Sequence, residues 1–467
     1  MNLTFADLAM IGLYFAAMAV LAYLTRRNKT FAEFAVGRHA VPAVMIFASL
    51  ATTIVGPGFS IGFTAKGWAT GYAFYFMVLA YAVQVVVVGL FLAPRLNQYR
   101  DCRSLGDVMR TKYGRFTQLL TGIVSVGLCI GFTAVMGKVG GSALHAVTGW
   151  PLPVCLVAVT GTTALITFSG GVRATIATEG MQFALKCLVV SLLVGLVALS
   201  GHESMAAIAQ RGTALTQSGF AGMNAWQIAG VVISFGLGEA LIPPYVNRAL
   251  VAKSAAGSRA GFVAAGIFCV VWLAMIAFLG IAAHGVLPAG TSGDDAFILT
   301  AQAILPTGLF GLLLAAVVAI VMSSQESVLN SSAVAFVRDI VSVVHEPSER
   351  MTLLLAKGST LVFAVIAIYA AQFAPSIIDG LLILYAIWAP TILVPLVAGL
   401  YLKNTRPLAG WLSILSGGGA SLAWQMALHE PGGVPSILVG VVAALAAYAV
   451  GHLAGRPIGA QLQGQSA

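Results

Sequence analysis

A chain of 467 residues that is 59% hydrophobic and only 8% charged, with a mean hydropathy of +0.95, has too little polar surface to cover a water-soluble globule. It reads as a polytopic membrane protein, in which a net charge of +9 marks cytoplasmic loops and excludes nucleic acid as the expected partner. Its five cysteines are scattered, with no CxxC or Cys/His cluster, so neither a disulfide framework nor a metal centre is indicated.

At about 20 apolar residues per crossing, thirteen spans are expected, at 5–24, 42–65, 71–93, 116–146, 151–169, 176–200, 226–246, 260–285, 306–337, 353–373, 376–402, 409–428 and 435–454. The first lacks a basic n-region and a small-residue cleavage site and precedes Arg26-Arg27, so it reads as a retained span. If the N-terminus is outside, all of the 24 Lys and Arg except Lys66, Arg211, Lys138 and Lys186 fall in cytoplasmic loops, the tail or, for Lys357, the cytoplasmic end of the tenth span. One span more or fewer would invert every later loop and destroy that asymmetry. The expected place is thus a bacterial-type inner membrane, N-terminus out and C-terminus in, with the lipid bilayer as surroundings and no obligatory protein partner.

Span 2, SLATTIVGPGFSIGFTAKG over Ser49–Gly67, carries Gly56-Pro57-Gly58 at its middle. Proline removes an amide donor and glycine loosens the helix. Non-helical backbone at that depth persists only where protein, water or an ion meets the freed groups. The break therefore reads as a binding site, against the plainer reading of a packing kink. Span 7 has its own interruption, SFGLGEALIPPY, with Gly236 and Gly238 near mid-membrane. The first span of each five-span block is thus broken, and blocks with an odd number of spans must have opposite orientation. We expect an all-α single transporter domain over 1–467. Its first repeat is 42–200 and its second 226–402, with peripheral segments at 1–41 and 409–454.

Within span 9, VAIVMSSQESVLNSSAV places Ser323 and Ser324 side by side, then Glu326, Ser327, Asn330, Ser331 and Ser332. Hard cations need several oxygens, and hydroxyls with carbonyls released at a helix break supply them. The alternative is serines bonded back to their own helix. Glu239 follows the span 7 break, and an ionisable residue inside a membrane is a functional candidate. It would contact substrate, be protonated, or pair with Lys138 or Lys186. Glu326 lies one turn beyond Ser323 on the same face. Arg173 and Arg248 read as topology anchors at span ends, and the aromatic Gly71–Tyr81 stretch as an interfacial, lipid-facing anchor, with the lining of a substrate cavity as the alternative.

The chain resembles the sodium:solute symporter family, with its LeuT-type inverted-repeat fold. The resemblance is carried by the span 2 stretch, TFSGGVRATIATEGMQ (Thr167–Gln182), GEALIPPYVNRALVAKS (Gly238–Ser254), LPTGLFGLLLAAVVAIVMSSQESVLNSSAVAFVRDI (Leu305–Ile340) and PLVAGLYLKNTRPLAG (Pro395–Gly410). It implies a sodium site formed by the carbonyls of Thr52, Val55 and Ile320 with the hydroxyls of Ser323 and Ser324. Glu179, in ATE where the family has WTD, would belong with Glu326 and Ser327 to a second ion site or exit path. Gly56-Pro57-Gly58 stands where many members have small hydroxyl residues, and Ile54 where the residue is often polar. Gly56, Phe59, Ser60, Phe235 and Glu239 are the substrate-binding candidates.

The expected function is sodium-coupled symport of a small polar organic solute by alternating access, with sodium as coupling ion, no organic cofactor and no catalytic residues. The alternative is proton-coupled symport through Glu239 or Glu179. An intramembrane enzyme would need paired acids or a histidine constellation near Glu239, and a channel a repeated filter loop.

Overall fold

The computed structural model describes residues 4–25, 30–36, 40–374 and 376–456. Arg26, Arg27, Lys29 and Arg38 lie outside the described residues, as does the side chain of Arg173. Among the described residues the chain is helical throughout, apart from loops and a single isolated bridge between Val41 and Ala252.

Among the described residues nine helices are long and apolar enough to cross a bilayer, and up to eleven if bent pairs count as one span each. Thirteen are expected from the sequence, so the structure does not establish that count. The difference has a physical reason: several expected spans are not single rods. Span 2 is Ala43–Ile54 and Gly58–Thr70, bent by 60° at the break. The expected seventh span is Ala225–Leu237 followed, after non-helical residues, by Pro243–Val251. The twelfth is Pro407–Leu422 running into a π-helical turn over Ala423–Ala427. Spans 5 and 6 turn at Gly171, whose φ of +54° a side chain rarely adopts and whose Cβ would meet Phe34.

The segment between spans 6 and 7 is more than the loop it reads as. It forms a helix, Met205–Ala221, meeting Ala225–Leu237 at 106°. Asn224 caps the second helix in a capping box with Gln227, which fixes the corner. Thr216 Oγ1 accepts from the Tyr72 amide at 2.8 Å, tying this helix to the head of span 3.

Span 9, over Leu309–Ala335, is buried along nearly its whole length and packs against spans 2, 4 and 6. Its polar row therefore faces protein. Small residues allow the close approach that helix packing in a bilayer requires: a Cβ at Gly56 would lie 2.6 Å from Ser324 Oγ, and one at Gly140 2.8 Å from Val321 Cγ1.

Candidate functional site

At the span 2 break the helix ends with the Val55 amide on the Ala51 carbonyl, 2.9 Å. The Thr53 carbonyl would ordinarily serve amide 57, which Pro57 lacks. Side chains meet the freed carbonyls instead. Ser324 Oγ donates to Thr53 O at 3.3 Å, Ser323 Oγ approaches Thr52 O at 3.4 Å, and Ser60 Oγ donates to Val55 O at 3.2 Å. Both serines also lie by the Ile320 carbonyl, at 3.1 Å for Ser323 and 3.4 Å for Ser324. Thr52, Ile320, Ser323 and Ser324 thus come together as the sequence suggests, while the Val55 carbonyl faces Ser60. The buried Thr52 hydroxyl has no hydrogen-bond partner.

A further residue stands among them. Lys186 of span 6 is fully buried, and its Nζ lies 2.9 Å from Thr52 O and 2.6 Å from Ser323 Oγ. It does not pair with Glu239, as the sequence had allowed. The signal was present: Glu179, Gln182 and Lys186 follow one another at three and four residues, a single helical face, as do Ser323, Glu326 or Ser327, and Asn330 on span 9.

Beyond the serines lies a buried ionic knot. Arg248 reads as a topology anchor in sequence but is 1% exposed, held because Pro243 starts a new helix that carries it inward. Its guanidinium donates to Glu179 Oε1 at 2.7 Å, Ser327 Oγ at 2.6 Å and Ser49 Oγ at 2.7 Å. Ser49 and Ser327 also donate to the Glu179 carboxylate. Glu179 is therefore engaged in an ion pair linking spans 2, 6, 7 and 9. Glu326 accepts from Thr178 Oγ1 at 2.6 Å and from Gln182 Nε2 at 3.4 Å, facing span 6.

The substrate candidates divide into two groups. Gly56 lies against Ser324, and Ser60 against the Val55 carbonyl, at the span 2 break. Phe59 and Phe235 pack together, centroids 5.7 Å apart, in an aromatic nest with Tyr81 and Tyr385. At the span 7 break, Leu241 takes φ +55° and the Ala240 carbonyl is met by Trp388 Nε1 at 2.8 Å. Glu239 hangs into the nest, accepting from Tyr245 at 2.6 Å and from Tyr385, while Tyr81 and Tyr245 hydroxyls are 2.8 Å apart. Tyr81 thus faces the core, and only part of the span 3 aromatic stretch, such as Phe76, is exposed. Lys138 is likewise engaged elsewhere, at the Ala374 carbonyl.

Clefts lie at both ends. A cleft of about 470 Å³ opens at the end carrying Lys66, lined by Ile61, Gly62, Trp68, Lys138, Asp294 and Asp295. It reaches the turn next to Ser60. At the other end stand the Arg248 knot and the pair Arg338–Asp107, 2.8 Å, with Gln118 bonded to both Asp107 and Asp339, and a cleft of about 310 Å³ lies against Glu33, Arg100, Asp101 and Arg103.

The nearly all-helical apolar chain has relatives among known proteins. The model of the sodium:solute symporter family matches residues 34–412. The chain belongs to the sodium:solute symporter family. Its relatives include a sodium/glucose cotransporter of Vibrio parahaemolyticus, 21% identical over 89% of this chain and 84% of that protein. A sodium/pantothenate symporter of Haemophilus influenzae is 25% identical over 93% of each chain. A solved Na+-coupled sialic acid symporter, in a substrate-bound outward-open state, superposes with a TM-score of 0.84 at 19% identity, covering 98% of this chain and 99% of that one. A nucleobase-cation-symport-1 family transporter gives 0.60 at 16% identity, over 91% and 95%. These likenesses establish the LeuT-type inverted-repeat fold, and the family member is a membrane transporter.

Proposed function

We propose that this symporter-family member carries a small polar organic solute into the cell with sodium. The observation that carries the reading is the convergence of Thr52 O, Ile320 O, Ser323 Oγ and Ser324 Oγ at a break in a membrane helix. Carbonyls and hydroxyls supply a monovalent cation with oxygens and no second full charge. Sodium there would hold span 2 against span 9, and ordering of the break would favour the adjoining nest for solute, a coupling that is reciprocal. Solute would enter by the Lys66 cleft, and one helical bundle would rock against the other to open the end where Arg248 lies. The test is uptake of a panel of labelled solutes into proteoliposomes with and without an inward sodium gradient. No solute accumulating with sodium would remove the reading.

The proton alternative is tested at Glu239. Glu239→Gln keeps an acceptor for one tyrosine and loses the charge, so uptake is expected to fall several-fold while its dependence on the sodium gradient persists. Uptake that follows a pH gradient alone and vanishes in Glu239→Gln would favour proton coupling instead.

The proposed orientation, with the N-terminus outside, places Ser218 outside and the 97–104 turn inside. Ser104 is buried as a helix cap bonded to Asp339, so exposed Asp101 is the probe for the inner side. Ser218→Cys is expected to react with an impermeant thiol reagent in whole cells, and Asp101→Cys only after lysis. The reverse pattern overturns the orientation.

A further inference from the structure

The sequence offers Lys186 as a stray charge in a span, yet its ammonium sits where the coupling cation is proposed to bind. Nζ touches Thr52 O at 2.9 Å and Ser323 Oγ at 2.6 Å, the first from span 2 and the second from span 9. These are two of the oxygens a free ion would take. Both distances are within hydrogen-bond reach, and the side chain is wholly buried, so the contact is built into the packing. Nearby charge is arranged accordingly: Glu179 lies two turns back on the same helix and is held by Arg248, and Glu326 faces the same helix through Thr178 and Gln182.

We propose that Lys186 is a tethered cation, which occupies the coupling-ion position and joins span 2 to span 9 in the absence of a free ion. Sodium and the Lys186 ammonium are then alternative occupants. Both need Thr52 O and Ser323 Oγ, and two unit positive charges within about 4 Å in a water-poor site repel strongly. Sodium binds only after the Lys186 side chain has withdrawn. The unpartnered Thr52 hydroxyl and the Ser324 hydroxyl, which Lys186 does not use, remain beside the site for the incoming ion. This inference rests on the reading that the coupling cation binds between spans 2 and 9, and it adds what governs that ion's access.

The experiment compares the full-length chain with Lys186→Met, a side chain of similar length without charge, in lipid nanodiscs. Radioactive sodium binding and thermal stability are measured in sodium chloride against choline chloride. We expect Lys186→Met to bind sodium at least about tenfold more tightly than the unaltered chain, a like charge having been removed from the ion's position. In choline it is expected to be less stable than the unaltered chain, and sodium is expected to restore much of that loss. Lys186→Gln gives the same comparison should the methionine variant fail to accumulate. Equal sodium affinity in the unaltered chain and both variants would overturn the inference while leaving sodium symport intact. Uptake by the unaltered chain that ignores sodium, beside a Lys186→Met variant that binds it, would support the inference and remove sodium coupling for this chain. Absence of sodium binding in all three overturns both.

Discussion

Replacing Arg248 by alanine is expected to destabilise the fold by about 3–5 kcal/mol, the usual cost of removing one partner of a buried ion pair. The reason lies in what remains. Glu179, fully buried, would keep the hydroxyls of Ser49 and Ser327 but lose the guanidinium that neutralises it. Four spans meet at this one group, so the loss is not absorbed by a local rearrangement. The measurement is the thermal unfolding midpoint of purified variants. Removing both charges, in Arg248→Leu with Glu179→Leu, is expected to cost less than Arg248→Ala alone, because no carboxylate is then left unpaired. An Arg248→Ala variant as stable as the unaltered chain would show that the pair is dispensable.

How much of this was legible follows from what each signal encodes. The span 2 break is written in Gly56-Pro57-Gly58, because a missing amide in hydrocarbon has few remedies, and the break at Gly238–Ile242 is written in Pro243-Pro244. The serines of span 9 are legible as polar atoms in an apolar run. Arg248 was misread because its place in sequence, near the end of an apolar stretch, is that of an anchor. Only the restart of the helix at Pro243, after a left-handed Leu241, turns it inward. Lys186 was harder. Its spacing from Glu179 assigns a helical face, but which oxygens that face meets depends on how spans 6 and 9 are rotated against span 2. That rotation is set by packing at small residues such as Gly56 and not by any local pattern. The Met205–Ala221 helix was missed because it carries Gln210, Arg211 and Gln217 along with its apolar residues, which hydropathy alone reads as a loop.

The two serines, alike in sequence, are expected to differ in effect. Ser324→Ala preserves volume and helix propensity, so the fold should survive. Ser324 Oγ touches Thr53 O and Ile320 O and is not among the partners of Lys186 Nζ. Its loss therefore removes an oxygen from sodium while leaving the competing ammonium its contacts. The cost of one neutral ligand is about 1–3 kcal/mol, so half-maximal uptake should require about 5- to 150-fold more sodium. Ser323 Oγ serves both occupants, being 2.6 Å from Lys186 Nζ. Ser323→Ala thus weakens ion and ammonium together, and the rise in sodium requirement is expected to be smaller than for Ser324→Ala. Ser332, which bonds back to Leu329 O more than two turns farther along span 9, is the control and is expected to change little. Initial uptake against sodium concentration decides the matter. Sodium dependence unchanged in Ser324→Ala would remove this hydroxyl from the site. A larger effect at Ser323 than at Ser324 would mean that Lys186 does not contest the position, since only a shared ligand can lose value by serving both sides.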